Sequence, residues 1–202
     1  MNPETGRAPI VGARGALPLH LIVRRSLAIG IGALIVALSA QVIVPVPFSP
    51  VPMTLQPLAV LAVGGWLGGS AGLGALLLYI ALGVVGLPVF AGGGSGLLHL
   101  MGPTGGYLLA FPVAAGVTGA LVSPVLGSGA VSASGVLRVL LACALGMAII
   151  HIGGVSQLAL LGGNPATAFR MGFIPFLTGD LLKVGLAAGL ILAAGPKIRS
   201  LL

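Results

Sequence analysis

Six runs of apolar residues, at about 24–44, 54–68, 71–87, 106–126, 136–161 and 173–195, are separated by stretches rich in Gly and Pro with a few cations. A helix needs about 20 apolar residues to cross a bilayer, with a range of ~17–25. The pattern predicts an all-α membrane protein of six transmembrane helices. The second run is short, and only Gly68-Gly-Ser-Ala-Gly72 divides it from the third, so five helices with one long kinked member is the alternative.

The cations give this arrangement a sidedness. Arg7, Arg14, Arg24 and Arg25 precede or open the first run, Arg138 sits between the fourth and fifth, and Lys197 and Arg199 close the chain. With the amino terminus cytoplasmic, six spans return the carboxyl terminus to the same side, and all seven fall inside, as the positive-inside rule expects. The expected organisation is a basic cytoplasmic tail at 1–23, a six-helix transmembrane domain at 24–196 and a cytoplasmic end at 197–202. The location that follows is the inner (plasma) membrane, multi-pass, with both termini cytoplasmic. Arg24-Arg25-Ser26-Leu27 ahead of Leu38-Ser39-Ala40 also has the form of a secretory or twin-arginine signal. Because the later runs already demand membrane insertion, 24–44 is read as a retained first helix.

Composition sharpens the class. Hydrophobic residues make up 57% of the 202 and charged residues 5%, against roughly 25% charged in soluble domains. The net charge of +7 is accounted for by topology and does not suggest nucleic acid. Thirty-five glycines suit apolar helices that must approach closely in lipid, where no hydrophobic force draws them together. The single Cys143 lies in an apolar run and reads as packing.

Against this background Asp180 stands out, as one of two acids in the chain and the only one inside a long apolar run. Lys183 follows three residues later, and a helix brings i and i+3 to one face. A carboxylate and an ammonium at membrane depth are expensive and usually face a bundle interior on a substrate or ion path. The alternative is an ion pair that only pins two helices. With a helix start near 173, the pair would lie about 10–15 Å below the outer boundary.

The external connections are unusual. Gln41-Val-Ile-Val-Pro-Val-Pro-Phe-Ser-Pro-Val-Pro-Met53 holds four prolines in eight residues, which favour stiff extended backbone. Thr54 has the chemistry to cap the next helix, with Gln56 and Pro57 in its first turn. Gly86 to Tyr107 is Gly-rich, uncharged and apolar in its middle. Such a segment at membrane depth is tolerable only when buried in protein or lining a cavity. It reads as an external lid between the third and fourth helices, with Phe90 and Tyr107 as aromatic walls, or as a packed structural loop. The third connection, Gly162 to about Gly172, carries Asn164 and Arg170, the latter read as a headgroup anchor.

Several chemistries have little to build from. His20, His99 and His151 lack carboxylate or Cys partners at ligand spacing, so neither a metal site nor a metal cofactor is expected. His99 is read as a satisfied loop histidine. Ser95 has no Gly-x-Ser-x-Gly context, and one acid in the membrane-embedded body cannot support acid–base chemistry of the usual kind. No lysine follows the Gly-x-x-x-x-Gly pattern of a phosphate-binding loop. The expectation is a non-enzyme, and any active uptake would draw its energy elsewhere.

Gly86-Leu-Pro-Val-Phe-Ala-Gly-Gly, Gly102-Pro-Thr-Gly-Gly-Tyr107 and Pro175-Phe-Leu-Thr-Gly-Asp-Leu-Leu-Lys183, supported by the segment from Pro45 to Gln56, resemble the BioY family. Its members are the biotin-binding S components of energy-coupling-factor transporters. The resemblance covers about 33–190. It implies a six-helix protein that captures biotin from outside, together with a transmembrane coupling protein and two cytoplasmic ATPases. It implies substrate contacts at Asp180, Lys183, Gln56, Phe90, Gly92, Gly105, Gly106 and Tyr107. It also implies a partner contact at Ala33 and Ala37, a small-xxx-small pair on the first helix. Asp180 would accept from the ureido N–H groups and Lys183 donate to the ureido carbonyl, while Gln56 offers both functions. An S component for another small vitamin, or a structural membrane protein with an Asp180–Lys183 staple, are the alternatives.

Overall fold

The computed structural model describes residues 18–128 and 132–202. Arg7, Arg14 and the predicted tail as far as residue 17 lie outside the described residues. The chain opens with α1 (Leu19–Ser39) and a small antiparallel hairpin, β1 (Ile43–Val44) and β2 (Met53–Thr54), which pairs Ile43 with Thr54 and Val44 with Met53. The Pro-rich connection is therefore a hairpin of very short strands. Next come α2 (Gln56–Leu67), α3 (Gly69–Val84), a 3-10 turn (Ala91–Gly93) and α4 (Leu97–Met101). Then follow α5 (Gly105–Leu126), α6 (Ala133–Gly162), α7 (Pro165–Gly172), a second 3-10 turn (Ile174–Phe176) and α8 (Leu177–Arg199).

Each predicted apolar run holds one main helix. Four stretches are long and apolar enough to cross a membrane: α1, α5, α6 and Pro165–Arg199. The helices α2 and α3 are shorter, at 12 and 16 residues. They are separate helices rather than one kinked one. Gly68 divides them with φ +84° and ψ 171°, a conformation open to glycine and strained for any residue with a Cβ. Arg199 closes this break from the far end of α8, donating to the Gly65 carbonyl at 2.7 Å and the Trp66 carbonyl at 3.3 Å. A cation on the last carbonyls of a helix satisfies acceptors that have no partner within it.

The helix α5 is central, packed against α2, α3 and α6 and touching α8. Small residues set these distances. Gly64 abuts the Ala115 backbone, and Gly106 abuts the Gly153 carbonyl, with no room for a Cβ at either. Close approach through small residues is how helices gain dispersion contact in lipid.

Local structure adds to or departs from the sequence reading at three points. The third connection is mostly helical: Asn164 accepts the Thr167 N–H at 3.1 Å and Pro165 opens α7, a cap-then-proline start. The helix bearing the ion pair begins at Leu177 rather than near 173, because Phe173 has φ −125° and ψ −56° and Pro175 lies in the 3-10 turn. Asp180 and Lys183 therefore sit about 5–9 Å along α8, in its first two turns. At α2 the residue before the helix is Leu55, but the Thr54 hydroxyl still accepts the Gln56 N–H at 3.3 Å.

Candidate functional site

The start of α8 delivers Asp180 and Lys183 to one face, as the i, i+3 spacing requires. Lys183 Nζ donates to Asp180 Oδ1 at 2.9 Å. From α6, His151 Nε2 lies 2.6 Å from Asp180 Oδ2. The three residues are nearly sealed, with Asp180 and Lys183 each 6% exposed and His151 7%. Each carboxylate oxygen thus has one partner, and a carboxylate has about four acceptor positions. The paired charges of Asp180 and Lys183 offset each other where either alone would be costly to bury. Asp180 also lies in the first turn of α8, where the helix dipole favours negative charge.

A cavity adjoins this cluster. Asp180, Lys183 and His151 line it, with Tyr107, Leu108 and Phe111 from α5. Gln56 and Pro57 from the start of α2 face it, as do Val51, Pro52 and Thr54 around β2. Ala91, His99 and Thr104, from the connection between α3 and α5, complete the lining. The walls are mostly apolar with a few polar groups converging from different elements, the usual composition of a small-molecule site.

The polar groups are held by a second layer. Gln56 Nε2 donates to Tyr79 Oη at 2.7 Å, and that hydroxyl donates to the Val89 carbonyl at 3.2 Å. Thr54 Oγ1 donates to Gln56 Oε1 at 3.2 Å, so the amide is oriented from both sides. Tyr107 Oη donates to the Gly172 carbonyl at 2.6 Å, leaving its ring toward the cavity. His99 contacts Thr104 Oγ1 at 3.3 Å and stacks on Phe90 with ring centroids 5.0 Å apart.

Of the residues expected at the site, Asp180, Lys183, Gln56 and Tyr107 line this one cavity. Phe90, Gly92, Gly105 and Gly106 do not. Phe90 is fully buried behind the wall, edge-on to Tyr79 at 5.6 Å and seated over Gly83, so it supports His99 instead of facing the cavity. Gly92 is exposed in the 3-10 turn at φ +68°, and its neighbour Ala91 faces inward. Gly105 and Gly106 are buried at the α5–α6 seam, against Leu100, Gln157 and Gly153. Ala33 is 1% exposed and Ala37 is partly buried against the same core, so Ala33 is covered by this chain's own helices. The outward face of α1 carries Leu27, Ile31, Leu34 and Leu38 instead.

No spacing rule brings His151 to the site, because its carboxylate partner is 29 residues away in sequence. The available signal was its setting: Ile149-Ile150-His151-Ile152 puts a titratable group deep in an apolar run, the same argument that singled out Asp180. Tyr79 gave a weaker signal of the same kind, as a hydroxyl within the third run.

Known proteins place this site in context. The BioY family model matches residues 12–200. A protein of Pyrococcus horikoshii described as a probable biotin transporter BioY is 39% identical over 157 residues, which is 77% of this chain and 88% of that relative. The biotin transporter BioY of Thermotoga maritima is 38% identical over 143 residues, covering 71% of this chain and 80% of the relative. A crystal structure of the S-component for biotin from an ECF-type ABC transporter superposes with a TM-score of 0.77 at 23% identity, covering 92% of this chain and 95% of the other. That likeness carries the fold. With the family match over nearly the whole length and these relatives, the chain belongs to the BioY family.

Proposed function

We propose that this chain is the substrate-binding membrane subunit for biotin uptake, capturing the vitamin on the outer side and delivering it inward with an ATP-driven coupling module. The observation that carries the reading is the buried Asp180–Lys183 pair facing an apolar-walled cavity with Gln56 and Tyr107, in a chain whose relatives are described as biotin transporters. The fused head of biotin carries a ureido group with N–H donors beside a carbonyl acceptor. Asp180 accepts from the ureido N–H, Lys183 donates to the ureido oxygen, and Gln56 serves either need. Tyr107, Leu108 and Phe111 hold the rings and methylene tail. A site built around hydrogen bonds rejects analogues that leave its buried polar atoms unpaired.

In the membrane, α1, α2, α3, α5, α6 and α8 form six crossings with both termini cytoplasmic, which keeps Arg24, Arg25, Arg138, Lys197 and Arg199 on the inner side. The connection between α3 and α5 then acts as the outer lid. The module that drives release is a transmembrane coupling protein with two ATPases, and α1 supplies the face that meets it. The protein itself performs no chemistry on the vitamin.

Calorimetry with biotin and with biotin lacking its ureido oxygen tests the site. Binding of biotin with marked loss for the analogue is expected, and equal affinity would remove the role given to Lys183. Uptake of labelled biotin with and without a coupling protein and ATPases tests the module. The staple reading is favoured by one contact, the Asp180–His151 bond that joins α6 to α8. Under it, Asp180→Asn would damage folding while leaving biotin affinity unchanged.

A further inference from the structure

We propose that His151 is a positioning residue for ligand capture, holding the Asp180 carboxylate in the orientation that leaves its free acceptor positions facing the cavity. This rests on the biotin-binding reading above. One ring nitrogen of His151 is unused. His151 Nδ1 is buried and has no hydrogen-bond partner among the described residues, whereas Nε2 lies 2.6 Å from Asp180 Oδ2. A hydrogen on Nδ1 would be a buried donor without an acceptor, which is costly. Placing the single ring hydrogen on Nε2 makes His151 a donor to Oδ2 and leaves Nδ1 as a bare acceptor, the cheaper arrangement. The tautomer is thus assigned by the hydrogen-bond pattern.

The ring cannot easily turn away. Phe173 meets it edge-on at 4.9 Å and Tyr107 edge-on at 6.0 Å, while Phe176 lies tilted at 6.2 Å. Tyr107 is itself anchored by its hydroxyl to Gly172, on the segment that leads into α8. With Lys183 on Oδ1 and His151 on Oδ2, rotation of the carboxylate breaks one bond or the other. About two of the four acceptor positions remain for a ligand donor. Lys183 alone lies on the same helix as Asp180 and cannot fix the carboxylate relative to α6. His151 does so, and thereby ties the ligand acceptor to the cavity wall formed by α5 and α6. Holding a binding group in its productive geometry before the ligand arrives is what second-layer contacts contribute.

The test uses the full chain in lipid nanodiscs, with biotin as the probe, and three variants. His151→Gln keeps an N–H donor at the reach of Nε2. His151→Asn ends its amide nearer the Nδ1 position and falls short of Asp180. His151→Leu removes both nitrogens. The expected result is affinity within about threefold of the unaltered chain for Gln, and losses of about 10- to 100-fold for Asn and Leu, the range of a hydrogen bond to a charged group. Equal binding by all three variants, or a loss in Gln as large as in Leu, would overturn the positioning role. Should the Leu variant fail to fold, the Gln and Asn pair decides, since both are polar and differ in reach. A merely structural role would lower the thermal midpoint without this reach-dependent split in affinity. Nitrogen-15 spectra of labelled histidine give an independent reading. The Nε2–H tautomer, with a signal that moves in Asp180→Asn, is expected, and an Nδ1–H tautomer would overturn the assignment. If the unaltered chain does not bind biotin, the biotin reading falls and the ligand role of His151 falls with it, while binding that ignores His151 removes the positioning role alone.

Discussion

The two ends of α8 each bring a buried or half-buried cation to polar acceptors, and they differ in what those acceptors are. At the carboxyl-terminal end Arg199 meets backbone carbonyls, Gly65 and Trp66 at the end of α2 and the Gly119 carbonyl of α5 at 3.4 Å. Those acceptors are fixed in place by their own helices, and the contact locks three helices together. At the other end Lys183 meets a carboxylate that retains spare acceptor positions and borders a cavity. A cation against carbonyls finishes an incomplete helix end. A cation against a cavity-facing carboxylate leaves chemistry available for a guest.

Replacing residues at the two ends separates these roles, and the largest effect belongs to the cavity end. Asp180→Asn removes the charge and replaces one oxygen of the proposed ureido acceptor by an NH2 donor, which weakens both internal bonds. Biotin affinity by calorimetry is expected to fall about 100-fold or more, since groups that hydrogen-bond a substrate discriminate strongly. Lys183→Met comes next, with a loss of about 10- to 100-fold. Its signature is that biotin and the analogue lacking the ureido oxygen become equivalent ligands.

At the other end the readout changes from affinity to stability. Arg199→Ala frees the Gly65 and Trp66 carbonyls at the end of α2 and is expected to cost about 1–3 kcal/mol, measured as a lowered thermal midpoint. Biotin affinity should stay within about twofold, and a large loss would erase the distinction between the ends. Tyr107→Phe gives the smallest effect. It removes one hydrogen bond, to Gly172, while keeping the ring at the cavity, so a stability change of about 1 kcal/mol and a modest affinity change are expected.

The same contrast shows which features were legible in the linear chain. Asp180 and Lys183 share one helix, so their spacing alone puts them on one face. His151 comes from another helix, and no spacing rule links it to Asp180. Phe90 is a case in which residue type suggested the right neighbourhood and the wrong direction. An aromatic in a Gly-rich connection reads as a cavity wall, yet the absence of a side chain at Gly83 gives its ring a buried seat beside Tyr79. Gly105 and Gly106 likewise serve the seam with α6 rather than the cavity.

The order of apolar runs, the positions of the main helices and the Asp180–Lys183 pair follow from sequence, because each depends on hydropathy or spacing within one segment. The rotation of each helix about its axis does not. In a soluble protein a polar face would orient a helix, but here almost every face is apolar, and Ala33 turned inward while Leu34 and Leu38 turned outward. Only the tertiary structure decides such orientations, through the close fit of small residues such as Gly64 on Ala115 and Gly106 on Gly153. That fit brings His151 to Asp180 and Gln56 to the same cavity, which is where the candidate binding site comes into being.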